Sequence, residues 1–408
     1  MKCRHCASPL TLPFLDLGVA PPSNAYLTAE GVRAAEVWLP LCLMVCERCW
    51  LVQTLDYAAS DALFTGDYAY FSSFSSSWLE HSRRYATRMT ERFSLGPASM
   101  VCEVAANDGY LLQYFKADGV PCYGVEPTHS TAEAARAKGI AIVESFFGRK
   151  LAGTLVAEGR AADLTAANNV LAHVPDINDF VGGFAVLLKP DGVSTFEFPH
   201  LLEMVRNAQF DTAYHEHYSY LSLTAVAKIF AANGLAVFDV EKLPTHGGSL
   251  RVFAQRADGG RRAIEPAVAA ALREEAEAGM TGADFYASFQ RRAERIKDDA
   301  LAFLIEAKRS GKKVGAYGAA AKGNTLLNFG GVKPDLLPYV VDRNPAKQTQ
   351  FMPGSRIPIV AESRLIAEKP DLVVLLPWNL KDELTKQLAY VRDWGGKFVA
   401  FVPELTVW

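Results

Sequence analysis

The segment YHEHYSY, residues 214–220, places two histidines, one glutamate and three tyrosines in seven positions, although the whole chain has eight histidines. An imidazole can take a proton near neutral pH, a carboxylate can orient it, and a phenol can donate to a developing anion. Such a set suits the removal of a proton from carbon and stabilisation of the enolate. Two alternatives are a metal held by His215 and His217, and a purely structural loop or edge strand. The spacing excludes the H-E-x-x-H helix of zinc proteases.

The cysteines predict a metal site. Cys3 and Cys6 form one C-x-x-C pair, and Cys46 and Cys49 form a second. Two residues between thiolates let one tight turn present both sulfurs to a tetrahedral ion, so the pairs predict a closed, structural zinc site. Reduced or disulfide-linked pairs are the alternative, and Cys42 is a possible replacement ligand.

Acidic and amide side chains follow successive apolar strands between residues 100 and 170. They are Glu103, Asn107, Asp108, Gly109, Glu126 and Asn169. In a doubly wound sheet these positions meet at the carboxyl ends of the strands, where ligands bind. A dinucleotide would need a G-x-G-x-x-G turn, whereas this turn has one glycine and an extra acid. A sulfonium without phosphate fits better, so the pattern predicts S-adenosyl-L-methionine and the class I methyltransferase fold.

A second glycine-rich turn, GAYGAAAKGNTLLN, begins at residue 315 and precedes a predicted helix. Backbone N–H groups of such turns bind phosphates, so Lys322, Asn324 and Asp342 are candidate nucleotide contacts. The alternative is a turn that only buttresses the active site. Arg251 is interpreted as a phosphate contact or as the cap of a strand.

The elements that must position these groups suggest three units. Residues 1–65 are predicted as the zinc module, with LPFLDLGVAPPSN as a loop and a hairpin carrying the second cysteine pair. Residues 66–258 alternate strands and helices, which predicts a largely parallel sheet covered on both faces. Residues 259–408 begin with two predicted linking helices and continue as a smaller Rossmann-like domain.

Composition limits the class of protein. The net charge of −3 argues against a nucleic-acid partner, and no apolar run approaches the ~18 residues of a membrane span. We expect a cytoplasmic enzyme without membrane contact, as a monomer or weak dimer.

The motifs, taken in order, resemble the nucleotide-sugar C-methyltransferases of deoxysugar biosynthesis over nearly the whole chain. They are the two C-x-x-C pairs, DLG at 16–18, DYAYFSS at 67–73, NDGYLL at 107–112, YHEHYSYLS at 214–222, GGSLR at 247–251 and GAAAKGNTLLN at 318–328. The resemblance implies C-methylation of a 4-keto deoxysugar, at C3 and linked to dTDP, after a base has formed the enolate.

The resemblance also implies residue roles. His217 matches the base, and Glu216, Tyr214, Tyr68 and His173 match its active-site neighbours. Tyr70 and Ser72 lie in the segment that reaches the sugar. Two other functions remain possible from the residues alone: methylation at oxygen or nitrogen, and a zinc-bearing scaffold with an inactive methyltransferase domain.

Overall fold

The computed structural model describes residues 1–55 and 71–408, which form three β-sheets joined by helices. None of the helices in these two ranges is both long and apolar enough to cross a lipid bilayer.

The N-terminal sheet contains strands β1 (Leu12–Ala20), β2 (Leu39–Val45) and β3 (Val52–Thr54), paired antiparallel. The predicted loop at LPFLDLGVA is wrong, because this stretch is β1. Its Phe14, Leu15 and Leu17 are buried, and two register shifts let the strand keep these side chains inward. The fourth strand, β9 (Ser219–Tyr220), comes from the YHEHYSY segment. The sheet therefore joins residues 1–55 to the acid–base cluster.

The central sheet has the predicted doubly wound form, with the order β6-β5-β4-β7-β8-β11-β10. Its strands are β4 Val101–Val104, β5 Cys122–Val125, β6 Ala141–Val143, β7 Ala162–Asn168, β8 Leu188–Pro199, β10 Leu235–Leu243 and β11 Ser249–Arg256. The first five are parallel and β11 is antiparallel to both neighbours. Because winding reverses between β4 and β7, a ligand crevice lies at their carboxyl ends.

Helices cover both faces of the central sheet. They are α1 Ser76–Phe93, α2 Leu112–Ala117, α3 His129–Ala137, α4 Arg149–Ala157, α5 Ile177–Leu187, α6 Leu201–Arg206 and α7 Leu223–Ala232. The side chain of Asp176 starts α5 by accepting the Asp179 N–H at 3.0 Å, as N-cap residues do. The helix ends at Leu187, and the Pro-Asp-Gly turn at residues 190–192 belongs to β8.

Three helices, rather than the two predicted, link the central and C-terminal sheets: α8 Pro266–Glu277, α9 Ala283–Ala287 and α10 Phe289–Arg309. Gly279, with φ of +89°, follows α8 and breaks the helical run, because such a φ favours glycine.

The C-terminal sheet has the order β14-β13-β12-β15-β16-β17. Its strands are β12 Val314–Tyr317, β13 Val340–Val341, β14 Ile359–Val360, β15 Leu372–Leu375, β16 Lys397–Ala400 and β17 Thr406–Val407, and its helices are α11 Ala321–Phe329, α12 Ser363–Glu368 and α13 Lys381–Gln387. All pairs are parallel except β16 with β17.

The N-terminal sheet packs against the C-terminal part rather than standing alone. Phe14 of β1 stacks on Phe289 of α10, with ring centroids 4.6 Å apart and nearly parallel planes. One apolar core continues from β1 through α10 to β12. Burying one such phenylalanine contributes about 2–3 kcal/mol, so this contact stabilises the N-terminal unit.

Candidate active site

The hydrogen bonds of His217 fix its tautomer. Its Nδ1 lies 2.9 Å from the Thr212 carbonyl oxygen, and a carbonyl can only accept, so Nδ1 carries the hydrogen. Nε2 therefore has the lone pair, and the Tyr214 hydroxyl donates to it at 2.6 Å. Burial lowers the pKa of His217 well below its usual value, and the neighbouring His173 lowers it further. The imidazole is thus neutral and able to accept a proton near pH 7.

A second imidazole faces the first. His173 and His217 have ring centroids 4.6 Å apart in an edge-to-face arrangement. His173 Nδ1 donates to the Glu216 carbonyl oxygen at 2.8 Å, and burial lowers its pKa to about 4. The structure therefore brings together three of the predicted catalytic residues.

Glu216 does not orient His217 as we expected. Its carboxylate accepts the backbone and side-chain N–H groups of Asn24 at 3.3 and 3.1 Å, while the Thr212 carbonyl holds the imidazole. Oε2 of Glu216 is buried with no hydrogen-bond partner among residues 1–55 and 71–408. Burial raises the pKa of this carboxyl group. Asn24 and Thr212 were missed because they are distant or unremarkable in sequence.

The N-terminal sheet positions this cluster through β9. Val52 pairs with Tyr220, the Thr54 N–H donates to the Tyr218 carbonyl at 3.2 Å, and the Thr54 hydroxyl donates to the His217 carbonyl at 3.2 Å. His215 points elsewhere: its Nε2 lies 3.2 Å from the Leu39 carbonyl oxygen. A metal shared by His215 and His217 is therefore not supported, because both imidazoles donate to backbone carbonyls.

The four predicted zinc ligands meet in space. The sulfurs of Cys3, Cys6, Cys46 and Cys49 all lie within 4.8 Å of one another, which fits one tetrahedral zinc ion with no open position. Gln53 of β3 supports the site, because its Nε2 donates to Cys3 Sγ at 3.3 Å. Cys42 is not a ligand: it lies beside Asp16, with Sγ and Oδ1 3.2 Å apart.

The predicted cofactor residues gather at the carboxyl ends of β4, β5 and β7. Glu103 is fully buried, and neither carboxylate oxygen has a hydrogen-bond partner within the described part of the chain. Burial raises its pKa well above the usual value, the neighbouring Tyr110 hydroxyl opposes this, and the charges of Glu126 and Asp108 add to it. A buried carboxylate without a partner fits a cationic ligand, and S-adenosylmethionine carries an ammonium and a sulfonium.

The turn after β4 is braced by its neighbours. Glu126 accepts the Asn107 N–H at 2.9 Å, and Asn107 Oδ1 accepts the Ser72 N–H at 2.9 Å. Asp108 Oδ1 is buried without a partner in the described ranges. Gly109 has φ of +75°, and a Cβ there would lie 2.4 Å from Ile140 Cδ1. We expected this glycine to contact the ligand, but the side on which a Cβ would project is filled by Ile140 and Ala135.

Asn169 and His246 meet across the crevice. Both have positive φ, 54° each, and Asn169 Nδ2 lies 3.1 Å from His246 Nε2. Trp78 of α1 flanks His246, with ring centroids 5.3 Å apart. Non-glycine residues in this conformation often belong to functional sites. His246 was missed, although a histidine before two glycines is a usable turn signal.

Arg251 is not an open phosphate ligand. It is buried and pairs with Glu197 at 2.9 Å and with Glu241 at 3.5 Å. His81 shares Glu197, with Nε2 and Oε2 2.9 Å apart. The predicted phosphate contact is therefore replaced by an internal ion network beneath the crevice.

The C-terminal glycine-rich turn uses its groups internally. Asp342 accepts the Ala319 N–H at 2.9 Å, and Gly318 N–H donates to the Val341 carbonyl at 2.7 Å. Asn324 is buried inside α11, where its Oδ1 accepts from Asn328 at 3.1 Å. These bonds favour the buttress interpretation of the turn, while Lys322 lies near the acid–base cluster. Tyr68 and Tyr70 fall outside the described residues.

Three family models match successive parts of the chain. Family models match as "Putative zinc binding domain" over residues 3–64, "Methyltransferase domain" over 78–240 and "C-methyltransferase C-terminal domain" over 244–403. The C-methyltransferase NovU from Streptomyces niveus is 33% identical over 403 residues, covering 99% of this chain and 96% of that protein.

Solved structures give weaker matches. One is the Synechocystis PCC 6803 magnesium protoporphyrin IX methyltransferase with bound SAM, at 16% identity and a TM-score of 0.34, covering 44% of this chain and 79% of that one. Another is a Burkholderia thailandensis 1,6-didemethyltoxoflavin-N1-methyltransferase, at 18% identity and a TM-score of 0.36, covering 50% and 95%.

The near-complete match to NovU selects carbon over oxygen or nitrogen as the methylated atom. Together with the cysteine cluster and the crevice, it shows that this chain belongs to the S-adenosylmethionine-dependent C-methyltransferases with an N-terminal zinc-binding domain.

Proposed function

We propose that the chain methylates C3 of a dTDP-linked 4-keto deoxysugar, with His217 as the base. The observation that carries this proposal is the tautomer of His217: Nδ1–H is held by Thr212 and the lone pair on Nε2 faces Tyr214. A ketone at C4 makes the C3 proton acidic, so a neutral imidazole suffices to remove it.

The residues of the chain have two tasks, to remove the proton and to hold the charge that develops. The Tyr214 hydroxyl lies next to the Nε2 lone pair, so the proton leaves C3 toward the Tyr214–His217 pair and comes to rest on Nε2. The Thr212 carbonyl stabilises the imidazolium that forms, because it accepts the hydrogen on Nδ1. When bound in the crevice near Glu103, S-adenosylmethionine supplies the electrophilic methyl group.

The zinc ion has a structural part in this proposal. Cys46 and Cys49 precede β3, and β3 pairs with β9 directly after His217. The metal thus fixes the strand that holds the base. The sugar nucleotide would lie against α11 and the segment containing Ser72. This segment borders the crevice, because the Ser72 N–H donates to Asn107 Oδ1. Tyr68 and Tyr70 remain proposed contacts of the sugar nucleotide. Asn324 remains one as well, because its Nδ2, unlike its Oδ1, has no hydrogen-bond partner among residues 1–55 and 71–408.

His217→Asn tests the proposal. We expect turnover with 4-keto-6-deoxy dTDP-sugars and labelled S-adenosylmethionine to fall at least about 100-fold, while cofactor affinity measured by calorimetry is unchanged. Solvent deuterium should enter C3 with the wild type when methyl transfer is blocked by S-adenosylhomocysteine, and should fail to enter with the variant.

His215→Asn is the matched control, since His215 lies two residues away but contacts the Leu39 carbonyl. It should keep the exchange of deuterium. Full turnover by His217→Asn would show that another group is the base.

A further inference from the structure

Lys322 reaches the acid–base cluster from the C-terminal domain. It lies in the first turn of α11, three residues before Thr325, whose hydroxyl donates to the Ala213 carbonyl at 2.7 Å. Because residues i and i+3 share one helix face, Lys322 is presented to the same side, where residues 210–217 lie. Its Nζ is 4.5 Å from the centroid of the Trp378 ring and 3.5 Å from Asn379 Oδ1.

The charge of Lys322 has no carboxylate in direct contact within residues 1–55 and 71–408. Asp211 is the acid whose charge acts on Lys322, but its Oδ2 accepts the Trp378 Nε1–H at 2.7 Å, and the ion pairs found among these residues do not include one between Asp211 and Lys322. Asp211 Oδ1 is buried without a partner there. Burial raises the pKa of Asp211 to about 6. Burial lowers the pKa of Lys322, and the charge of Asp211 opposes this shift. Among the described residues the amino group contacts the Trp378 ring and the Asn379 amide oxygen, so an anion that develops on a ligand could act as its partner.

His246 faces the same space. Asn169 Nδ2 donates to His246 Nε2 at 3.1 Å, which leaves the ring hydrogen on Nδ1. The hydrogen bond found for this ring among the described residues is the one at Nε2. The Trp378 ring links the two groups, because a Cβ on Gly247 would lie 2.8 Å from Trp378 Cη2. Burial lowers the pKa of His246 to about 4, and the charge of Lys322 contributes. His246 is therefore a neutral N–H donor.

We propose that Lys322, assisted by the Nδ1–H of His246, stabilises the enolate oxygen of the substrate. This inference rests on the proposed function and replaces the predicted phosphate contact of Lys322. In the step, the C3 proton goes to Nε2 of His217, the C–H electron pair forms the C3–C4 double bond, and the carbonyl π pair moves to the C4 oxygen. That oxyanion accepts hydrogen bonds from the Lys322 ammonium and from His246.

The arrangement divides the chemistry between two units of the chain. The base, His217, is held by the central domain and the N-terminal sheet, whereas the cation that stabilises the product of its action comes from α11. A charge placed where the anion develops acts strongly in a buried site, and removing one such donor typically costs about 100- to 1,000-fold in rate. A direct ion pair with Asp211, which is not found among the described residues, would weaken this effect by neutralising the charge.

Deuterium exchange at C3 tests the inference, because it reports enolate formation without methyl transfer. With the 4-keto dTDP-sugar at saturation and S-adenosylhomocysteine bound, Lys322→Ala should lose about 100-fold or more of the exchange rate. Added methylammonium should restore part of it, and Lys322→Arg should retain more than Lys322→Ala. A role limited to folding would not respond to the added amine.

Lys297→Ala is the matched control, since Lys297 also lies over an aromatic ring, Phe329, at 5.0 Å. It should exchange at the wild-type rate. If Lys322→Ala raises the KM for the sugar nucleotide but keeps the saturated exchange rate, the residue binds phosphate and the inference is wrong. Loss of exchange that neither methylammonium nor Lys322→Arg restores also overturns it. Absence of exchange in the wild type would instead refute the proposed function.

Discussion

Two glycine-containing turns, after β4 and after β12, have similar sequence patterns and opposite electrostatic outcomes. Each follows an apolar strand and precedes a helix, and in both the backbone N–H groups are largely used within the protein. The turn after β4 leaves the oxygens of Glu103 buried without partners in the described chain. The turn after β12 is held by Asp342, which follows β13 and accepts the N–H groups of Ala319 and Asn344, and the helix after this turn carries Lys322.

The strand–turn–helix pattern therefore marks a position in the fold but does not specify the ligand. The first turn is acidic and suits a cation, S-adenosylmethionine. The second is fastened by Asp342, and the Ala319 carbonyl accepts from Tyr26 at 2.7 Å and from Lys347 at 2.8 Å. It acts as a support that directs a lysine into the active site.

Glu103→Gln tests most directly whether the acidic turn after β4 binds the cofactor. Replacing the buried carboxylate by an amide removes the charge that would pair with the cofactor, and charge-assisted hydrogen bonds contribute about 1.5–3 kcal/mol. We expect S-adenosylmethionine to bind about 10- to 100-fold more weakly, measured by titration calorimetry. Unchanged affinity would show that Glu103 is only a core residue.

The second turn should respond in the opposite way. Asp342→Ala leaves the N–H groups of Ala319 and Asn344 without their acceptor, so we expect the free energy of unfolding to fall by about 1–3 kcal/mol. The affinity for S-adenosylmethionine should stay the same. Asp335→Ala is the control, because its pair with Lys308 is exposed and should matter little. A large loss of cofactor affinity in Asp342→Ala would contradict the distinction.

The pH dependence of cofactor binding reports the ionisation state of Glu103. The pKa of Glu103 is raised in the free protein. At pH values between the usual pKa of 4.5 and this raised pKa, the carboxyl group is therefore still protonated in the free protein, whereas an ordinary glutamate would be ionised. A bound cation favours the ionised form. We therefore expect up to about one proton to be released on binding, and affinity to rise with pH over this interval. Calorimetry in buffers of different ionisation enthalpy measures the release, which Glu103→Gln should abolish.

Much of the fold followed from local pattern. The four cysteines, the parallel strands and the acids at their carboxyl ends could be predicted because strand periodicity and C-x-x-C spacing are local. The strand β1 was missed because Pro13 and Gly18 interrupt its alternation, and it is recognisable only once its apolar side chains meet α10. The separation of α9 as a third linking helix was missed because this short helix is defined by packing around the buried Tyr286.

The candidate site shows the same division at the level of side chains. The sequence alone determined which groups could take a proton, bind zinc or face a cation, since those properties belong to residue types and short spacings. Their partners depend on the tertiary structure. Thr212 rather than Glu216 accepts the hydrogen bond of His217, and Glu197 forms an ion pair with Arg251. In the proposed mechanism, Lys322 lies in the active site. These outcomes depend on contacts between distant segments, where burial and the nearest charge determine whether a polar group is paired internally or left for a ligand.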